Sequence, residues 1–409
     1  MLLFVLETTL VLLWLTSREM AFSVSYFHSV VPVLRRVCLF FFASMFCFAA
    51  DEPMELQKIW ALPLRQLVPM PPKGWDSWGV WGIAFSPDGQ YLAVGFGEPN
   101  HDLMRRLVIV STADPGRTVL QLDLPLNIFW LVSPLVRLSW APDGRHFAIS
   151  SGRDAIVVID LDRGSTCRVE GSGAAFISDS EMIAWRFTPG HGHALAVFTS
   201  QCSIIREWQL YEGIQITDVS VFKSLLAVWG RLPNNPKDRA VGLMNIGDRQ
   251  ILTTFGPKLD SLGSVHFARG GASVCGQARR LPGSPASIGI HCWDLTTQSE
   301  TEVPIEVGYA TPNKSSANRM ILLEYQRRTM PQKLANFLDR SAETLEFKRH
   351  VIWDFEKGRA IAAYTPPISY VKWAGTAGKH LRLYGHDISP DGQYIAQGSP
   401  DSVILYKIP

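Results

Sequence analysis

The chain repeats one short unit, in which an apolar run, a Pro-Asp-Gly turn and a second apolar run follow one another. Three copies are plain, at Ile83–Phe96, Leu138–Ser150 and Asp387–Ser399, and weaker copies stand at Ala174–Trp185 and Val265–Gly276. Proline presets the first corner of such a turn and glycine accepts the conformation at its end, so each copy predicts a tight hairpin. The runs are short and rich in Val, Ile, Leu and aromatic residues. They therefore predict an all-β fold.

A third apolar run follows each hairpin and often ends in an aromatic residue and an acid, as in Ile290–Gln298, His350–Gly358 and Ile156–Gly164. A fourth, outer run comes next. Over Glu55 to Pro409 this unit resembles the WD repeat, which builds β-propellers. The resemblance implies four-stranded blades around a central channel and a role in binding rather than catalysis.

The last unit matches the WD-repeat family in more detail. The resemblance implies a structural hydrogen-bond set of His386, Ser399 and Asp401, which links a loop to the inner strands, and Tyr406 stands where the family places tryptophan. The Gly-His dipeptide that belongs to this set is missing from the earlier units.

The number of hairpins predicts a single seven-bladed β-propeller over residues 51–409. The blades should start near Val80, Leu135, Gly173, Gly213, Leu262, Gly308 and Tyr384. Six or eight blades stay open as alternatives, because the fourth and sixth units are faint. The chain ends on the third strand of the last blade, and a bare strand edge would remain there. Glu55–Leu64 is the spare strand-like segment, so it is predicted to complete that blade and close the ring.

The first 50 residues predict a targeting segment. Arg35 and Arg36 precede the apolar run Val37–Phe48, which ends in Ala49 and Ala50, as in a secretory signal peptide. A membrane anchor that also uses the first apolar stretch is the alternative. The run is shorter than the roughly 20 residues of a membrane span, which favours cleavage. We expect export to the periplasm or the cell exterior, a mature chain beginning at or near Ala50 or Asp51, and membrane attachment only if the segment is retained.

No sequence motif indicates catalysis, a cofactor or a metal site. His191 and His193 are predicted to lie in a solvated turn, and the Asp160 and Asp162 string is interpreted as a strand end followed by a turn. Cysteines with CxxC spacing are absent. Cys275 and Cys292 fall on neighbouring predicted strands and could bridge in an oxidising compartment, but plain buried thiols are the favoured interpretation.

Two further segments admit a functional and a structural interpretation. Aromatic residues between the blades could form a ligand platform around the channel, but wedging of neighbouring blades is favoured; they are Trp75, Trp78, Trp81, Phe129, Trp130, Tyr370 and Trp373. Gln326–Arg349 departs from the repeat, and its leucines and Phe337 fall near a helical period. This segment predicts a short helix laid on the ring.

The distribution of charge suggests where a partner binds. The whole chain has a formal net charge of +2, which disfavours nucleic-acid binding. Basic residues nevertheless accumulate in the predicted second-to-third-strand loops and in the linkers between blades. We expect a protein partner with an acidic surface to contact them, and the alternative is a solvated rim whose arginines pair with acids on neighbouring loops; the candidate residues are Arg105, Arg106, Arg231, Arg239, Arg279, Arg280, Arg327, Arg328, Lys372 and Arg382.

The alternative function is enzymatic. It would be a propeller hydrolase, or the regulatory propeller of a separate enzyme, with acids lining the channel. The sequence carries no indication of oligomeric state.

Overall fold

A computed structural model of the chain describes a large part of the sequence from Met54 onward. The described residues are 54–67, 79–98, 103–123, 137–150, 155–188, 192–209, 216–232, 235–247, 251–259, 265–279, 288–303, 313–316, 318–329, 343–366, 369–372, 379–382, 385–399 and 401–409. The predicted signal or anchor lies outside them. No helix in this part of the chain has the length and hydropathy needed to span a bilayer.

Seven sheets form the blades, each with four antiparallel strands, and the sixth blade also carries a short fifth strand that runs parallel to its neighbour. Blade one consists of β3 (Gly79–Phe85), β4 (Tyr91–Glu98), β5 (Leu103–Ser111) and β6 (Thr118–Asp123). Blade two consists of β7 (Arg137–Trp140), β8 (His146–Ser150), β9 (Ile156–Asp160) and β10 (Ser165–Val169). Blade three consists of β11 (Gly173–Phe176), β12 (Glu181–Thr188), β13 (Gly192–Thr199) and β14 (Ile204–Gln209). Blade four consists of β15 (Ile216–Phe222), β16 (Leu225–Leu232), β17 (Asn235–Asn245) and β18 (Ile251–Leu259). Blade five consists of β19 (Val265–Ala268), β20 (Ser273–Arg279), β21 (Ile288–Asp294) and β22 (Glu300–Val303).

The last two blades are completed by strands from the N-terminal end of the described chain. Blade six consists of β23 (Asn313–Ser316), β24 (Arg319–Thr329), β25 (Glu343–Asp354) and β26 (Arg359–Tyr364), with β1 (Met54–Glu55) added as a fifth strand; blade seven consists of β29 (His386–Ile388), β30 (Tyr394–Gly398), β31 (Ser402–Lys407) and β2 (Gln57–Pro63). A separate hairpin of β27 (Ser369–Lys372) and β28 (Lys379–Arg382) lies between these blades along the chain, and the short helix α1 (Leu64–Leu67) follows β2.

The seven blades form a closed ring. The first strand of each blade contacts the first strand of the next, in the order β3, β7, β11, β15, β19, β23 and β29, and β29 in turn contacts β3. These first strands therefore surround the central axis. The predicted all-β class, the count of seven blades and the expected blade starts are confirmed.

Strand β2 closes the ring, as predicted. It pairs antiparallel with β31, with Gln57 opposite Lys407 and Pro63 opposite Ser402. The backbone N–H of Leu64 extends this contact by donating to the carbonyl of Asp401 at 2.8 Å. Proline is tolerated in β2 because this strand is the outermost one. Strand β1 adds a feature that the sequence did not predict, since it pairs in parallel with β26 of blade six. The same segment thus joins the last two blades.

The Pro-Asp-Gly turns explain the recurring sequence unit. In blade one the Ser86 hydroxyl donates to Asp88 at 2.6 Å and accepts the backbone N–H of Tyr91 at 2.9 Å. Gly89 closes the turn with a φ of 72°, a conformation that costs glycine little. Blade seven repeats these contacts with the equivalent serine, aspartate and glycine of its own turn. Side-chain contacts local to the turn therefore fix the inner hairpins of blades one and seven.

Hydrogen bonds join the first strands of neighbouring blades around the central axis. Three similar bonds occur among the described residues, and in each the backbone N–H of a phenylalanine donates to a side chain of the preceding blade. Phe85 donates to Asp387 at 2.8 Å. Phe176 and Phe267 donate to serines of blades two and four, at 3.4 and 3.2 Å. The bond to Asp387 has a charged acceptor, which makes it the strongest kind of the three, and it spans the junction between the last and first blades.

Apolar side chains fill the spaces between blades. At the junction of blades seven and one, Leu92, Phe96 and Val108 pack with Val403 and Leu405 in one buried cluster. Each fully buried side chain of this size contributes about 1.5–3 kcal/mol. The core is consequently a circle of apolar layers between sheets, and it depends on every blade being held against the next.

The helix predicted over Gln326–Arg349 is wrong wherever the segment is described. Strand β24 extends to Thr329 and β25 begins at Glu343, and the two are paired up to that position. Residues 330–342, which include Pro331 and Phe337, lie outside the described residues. Where the segment is described, pairing with the partner strand overrides any local helical preference.

The four described cysteines form two disulfides, so the expectation of plain thiols is wrong. Cys275 and Cys292 are direct cross-strand partners on β20 and β21 and are bonded to each other. Cys167 on β10 is bonded to Cys202, which lies between β13 and β14. The first bond links two neighbouring strands within blade five. The second joins the outer part of blade two to the outer part of blade three.

Candidate functional site

The antiparallel blades give the ring two chemically different faces. Turns between first and second strands and between third and fourth strands leave on one side, which we call the turn face. Connections between second and third strands and the linkers between blades leave on the other side, which we call the loop face. Because strands alternate in direction within each blade, every residue in these connections can be assigned to a face from the backbone alone.

The turn face uses its acids for local structure. Asp160, Asp294 and Asp354 end the third strands of their blades, and each accepts two backbone N–H groups of the turn that follows, at 2.9–3.1 Å. The hydrogen bonds from the Thr297 and Thr296 backbone hold the pKa of Asp294 below its ordinary value. The DxDxG string at Asp160 is therefore a strand end and turn.

The loop face receives the predicted basic residues. Arg105 and Arg106 stand near the start of β5, Arg231 and Arg239 pair across β16 and β17, and Arg279 ends β20. Arg327 and Arg328 lie in the part of β24 nearest this face, and Lys372 and Arg382 lie in the hairpin β27–β28. Arg280 lies outside the described residues. The topology thus directs the described members to one face, while their role in partner binding stays a prediction.

Two long ribbons and one separate hairpin make up much of the loop face. Blades four and six have second and third strands of up to 11 and 12 residues, against 5 residues for each of these strands in blade two. The hairpin β27–β28 forms a sheet of its own in the linker between blades six and seven. These elements carry most of the basic candidates.

Some basic residues of the loop-face ends are neutralised locally. Arg106 pairs with Asp123 at 2.6 Å, and Arg186 contacts both Glu170 and Glu207. Such half-exposed pairs contribute only about 0–1 kcal/mol. In the blade-six ribbon, burial would raise the pKa of Glu324, but hydrogen bonds from Lys348 and Arg349 at 2.6 Å outweigh burial and lower it.

The residues matched to the WD-repeat hydrogen-bond set lie in blade seven, where Ser399 and Asp401 contact each other while His386 and Tyr406 contact residues of blade six. The Ser399 hydroxyl donates to Asp401 at 2.8 Å and accepts the backbone N–H of Ser402 at 2.9 Å. His386 is buried, with its ring 4.5 Å from that of His350 in blade six, and the Tyr406 ring lies 5.5 Å from Tyr364.

A buried polar relay crosses the junction of blades six and seven, and the sequence did not predict it. The Gln397 amide donates to the Gly398 carbonyl at 2.7 Å, which leaves its oxygen to accept the Tyr364 hydroxyl at 3.0 Å. Tyr364 has then used its proton, so its oxygen accepts the Nδ1 proton of His350 at 2.8 Å. The apolar part of this junction is built mainly from isoleucines such as Ile352. Only the three-dimensional fold brings these polar residues together.

The relay predicts a pH-dependent stability. Burial, and next to it the charge of His386, hold the pKa of His350 well below its ordinary value of 6.5. Below about pH 6.5 the unfolded chain therefore binds a proton that the folded chain does not, and the free energy of unfolding falls by up to about 1.4 kcal/mol per pH unit for this group, down to its folded pKa. Above about pH 6.5 the group is neutral in both states, so it does not change the free energy of unfolding with pH.

Urea unfolding at several pH values measures this effect, with His350→Gln as the variant that cannot titrate. Below about pH 6.5 we expect the free energy of unfolding of the variant to depend less steeply on pH, by the contribution of one bound proton. Identical slopes in the two proteins would contradict the prediction. Other ionisable groups at this junction are Tyr364, Tyr406, His386 and the Arg319–Asp354 pair at its turn-face end, and both proteins contain them.

The innermost strands bear on the enzymatic alternative. Their described sequences include two carboxylates, Asp218 and Asp387, and Asp387 accepts the backbone N–H of Phe85. Within the described residues no group of three or more His, Cys, Asp or Glu side chains could hold a metal ion. His193 lies on β13 opposite Phe187 rather than in a turn, and His191 is outside the described residues.

The aromatic candidates are only partly described. Trp81 lies on β3 and Tyr370 on β27, and the other members of that set lie outside the described residues.

Comparison with known proteins supports the family assignment. Residues 70–100 match the family model of the WD domain, G-beta repeat, and this match overlaps β3 and β4 of blade one. A comparison with curated proteins found no match. The seven blades and the repeat match together show a seven-bladed β-propeller that is similar to WD-repeat proteins and matches their repeat model at residues 70–100.

Proposed function

We propose that this chain is an exported binding module that captures a protein partner with an acidic surface on its loop face. A WD-repeat propeller is in general a platform for protein interaction, and the proposal adds a face and a charge. The observation that supports it is that the described basic candidates belong to, or stand next to, second-to-third-strand connections and the linker between blades six and seven.

One-sided charge has a physical consequence for binding. A field of one sign attracts oppositely charged partners and raises association rates, and salt screens it, with a Debye length of about 8 Å at physiological ionic strength. The opposite face engages its terminal aspartates in turns. A partner with exposed carboxylates would therefore approach the loop face first.

Export is part of the proposal. Two disulfides support it, because such bonds persist in oxidising compartments and are rare in the cytosol. The basic residues and short apolar run before Ala50 support it independently.

Charge reversal tests the binding face. We expect capture of partners from the native host to fall about tenfold or more at low salt when four arginines are changed to glutamate: Arg279, Arg280, Arg327 and Arg328. The matched control reverses four exposed basic residues of the turn face: Arg117, Arg145, Arg163 and Lys223. The control should bind as the unchanged protein does, since its charges point away from the partner.

Two results would contradict the proposal. One is unchanged capture of every partner by the loop-face variant at both low and high salt. The other is an equal loss in the turn-face control, because the effect would then follow net charge rather than the face. Matching unfolding temperatures ensure that both variants are compared as folded rings.

A further inference from the structure

The two disulfides differ in how open they are to solvent. In blade five, Cys275 is fully buried and only 8% of Cys292 is exposed. In blades two and three, Cys167 and Cys202 are both partly exposed, and they pack as half-buried side chains against the apolar cluster between these blades. A thiolate must reach a sulfur atom to exchange with a disulfide, so access decides which bond reacts. Of these two bonds, Cys167–Cys202 is therefore the one open to exchange in the folded protein.

Cys202 lies in the tight turn between β13 and β14. Its backbone N–H donates to the carbonyl of Thr199 at 2.9 Å, and its φ is 66°. This left-handed conformation is uncommon for a residue with a side chain, and such outliers cluster at functional positions. Gln201 and Ser203, the neighbours of Cys202 in the chain, are exposed and uncharged. Because neither carries a negative charge, they do not repel a thiolate that approaches the turn.

The surroundings of Cys167 can also accommodate the reduced state. The Sγ atom of Cys167 lies 3.7 Å from the backbone carbonyl oxygen of Ser200, so a thiol at this position has an acceptor for its weak S–H donor. Blades two and three remain packed together without the bond, because Ile156 and Met182 are fully buried in the cluster between them. Reduction therefore removes the outer link between the blades and leaves their inner contacts in place.

We propose that the Cys167–Cys202 bond is a thiol–disulfide exchange site for a protein dithiol, and that its reduction uncouples the outer strands of blades two and three. A thiolate of the partner attacks Sγ of Cys202, the bond between the two cysteines breaks, and Cys167 leaves as a thiolate that takes a proton from water. The second thiol of the partner loses its proton and attacks its own sulfur in the mixed disulfide, which releases Cys202 as a thiolate that is protonated in turn. Two electrons pass to this chain, and the partner dithiol becomes a disulfide.

Apolar surface beside the turn favours a protein over a small thiol as the partner. Ile204 and Ile205 follow Cys202 by two and three residues, and 62% and 45% of their surfaces are exposed. Ile204 is the most exposed of the large apolar side chains in the described part of the chain. A protein can bury this surface when it docks, whereas a small thiol gains little from it. The site belongs to a third-to-fourth-strand turn, so it does not depend on the proposed binding role of the loop face.

Reduction of the folded full chain tests the site, with the buried disulfide as an internal control. The chain is treated without denaturant with dithiothreitol or with a reduced CxxC dithiol protein, and free thiols are alkylated and located by mass spectrometry. We expect Cys167 and Cys202 to be released at least about tenfold faster than Cys275 and Cys292 with both reagents. Equal rates, or faster release of the buried pair, would overturn the exchange site.

Two variants test whether the partner is a protein. Ile204→Ser combined with Ile205→Ser should slow the reaction with the dithiol protein about tenfold and leave the rate with dithiothreitol unchanged. Val119→Ser combined with Leu252→Ser changes two apolar residues of similar exposure on the outer strands of other blades, and it should alter neither rate. An unchanged rate with the dithiol protein, or equal slowing with both reagents, would overturn the protein partner.

Hydrogen exchange measures the structural consequence. In the protein reduced at this bond alone, backbone amides of β10 and β14 should exchange at least about tenfold faster, while those of β22 in blade five keep their rates. Cys167→Ala combined with Cys202→Ala should show the same pattern without any reductant. Unchanged exchange in β10 and β14 would overturn the uncoupling, and faster exchange throughout the ring would show general destabilisation instead of a local change, which also contradicts it.

Discussion

Deletion of Met54–Pro63 is expected to open the ring and to lower the free energy of unfolding by about 5 kcal/mol or more. The deletion removes the fourth strand of blade seven together with the fifth strand of blade six. It withdraws Leu62, of which only 4% is exposed, from the cluster between blades seven and one. It also leaves β31 and β26 with unpaired edges. Urea unfolding followed by tryptophan fluorescence, on chains beginning at residues 51 and 64, measures the loss.

Three controls sharpen this experiment. Leu62→Ala alone should cost about 2–4 kcal/mol, as expected for a buried leucine, whereas Lys58→Ala on the exposed side of the same strand should cost less than about 0.5 kcal/mol. A synthetic peptide covering residues 54–67, added to the shortened chain, should restore part of the stability by supplying the missing strand. Equal stability of the long and short chains would show that the N-terminal strands do not hold the ring closed.

Loss of the two disulfides is expected to be the next largest effect. The bonds close loops of 35 and 17 residues, and chain entropy assigns them about 4 and 3 kcal/mol. The bond between Cys167 and Cys202 also joins two blades, so its loss should free the outer parts of both. We expect Cys167→Ala with Cys202→Ala to lower the free energy of unfolding more than Cys275→Ala with Cys292→Ala.

Alanine is the suitable replacement, because Cys275 is fully buried and Cys292 nearly so, and a serine there would bury a hydroxyl group. Unfolding with and without a reducing agent provides the comparison for the unchanged protein. A reductant should leave the variant that lacks all four cysteines unaffected. If the unchanged protein unfolds at the same urea concentration in both states, the bonds do not stabilise it, and the support that they lend to export is withdrawn.

The sequence could predict the inner hairpins because their determinants are local. Ser86, Asp88 and Gly89 fix the blade-one turn with contacts that span five residues, and such chemistry is visible in a short stretch of sequence. The closing strand followed from a different argument, since a blade that lacks its fourth strand needs one.

The remaining features depend on residues far apart in the chain. His350, Tyr364 and Gln397 meet only when blades six and seven pack together. Cys167 and Cys202 lie in different blades and have no signature spacing. The blade-six ribbon was mistaken for a helix because its strand pairing, which decides its structure, lies outside any local window. On the loop face the sequence supplied the charges, while the register that sets Arg231 opposite Arg239 came from the fold.

Pairing of β2 with β31 also sets the order in which the protein can be completed. Gln57 lies opposite Lys407, so β2 must wait for a strand that is synthesised after all of the intervening blades. Contacts of such high sequence separation form slowly, and growing chains expose edges that can pair wrongly in the meantime. A chain cut short before β31 would retain six blades' worth of sequence with no partner for β2. A product truncated before β31 would therefore present open strand edges to proteases and chaperones.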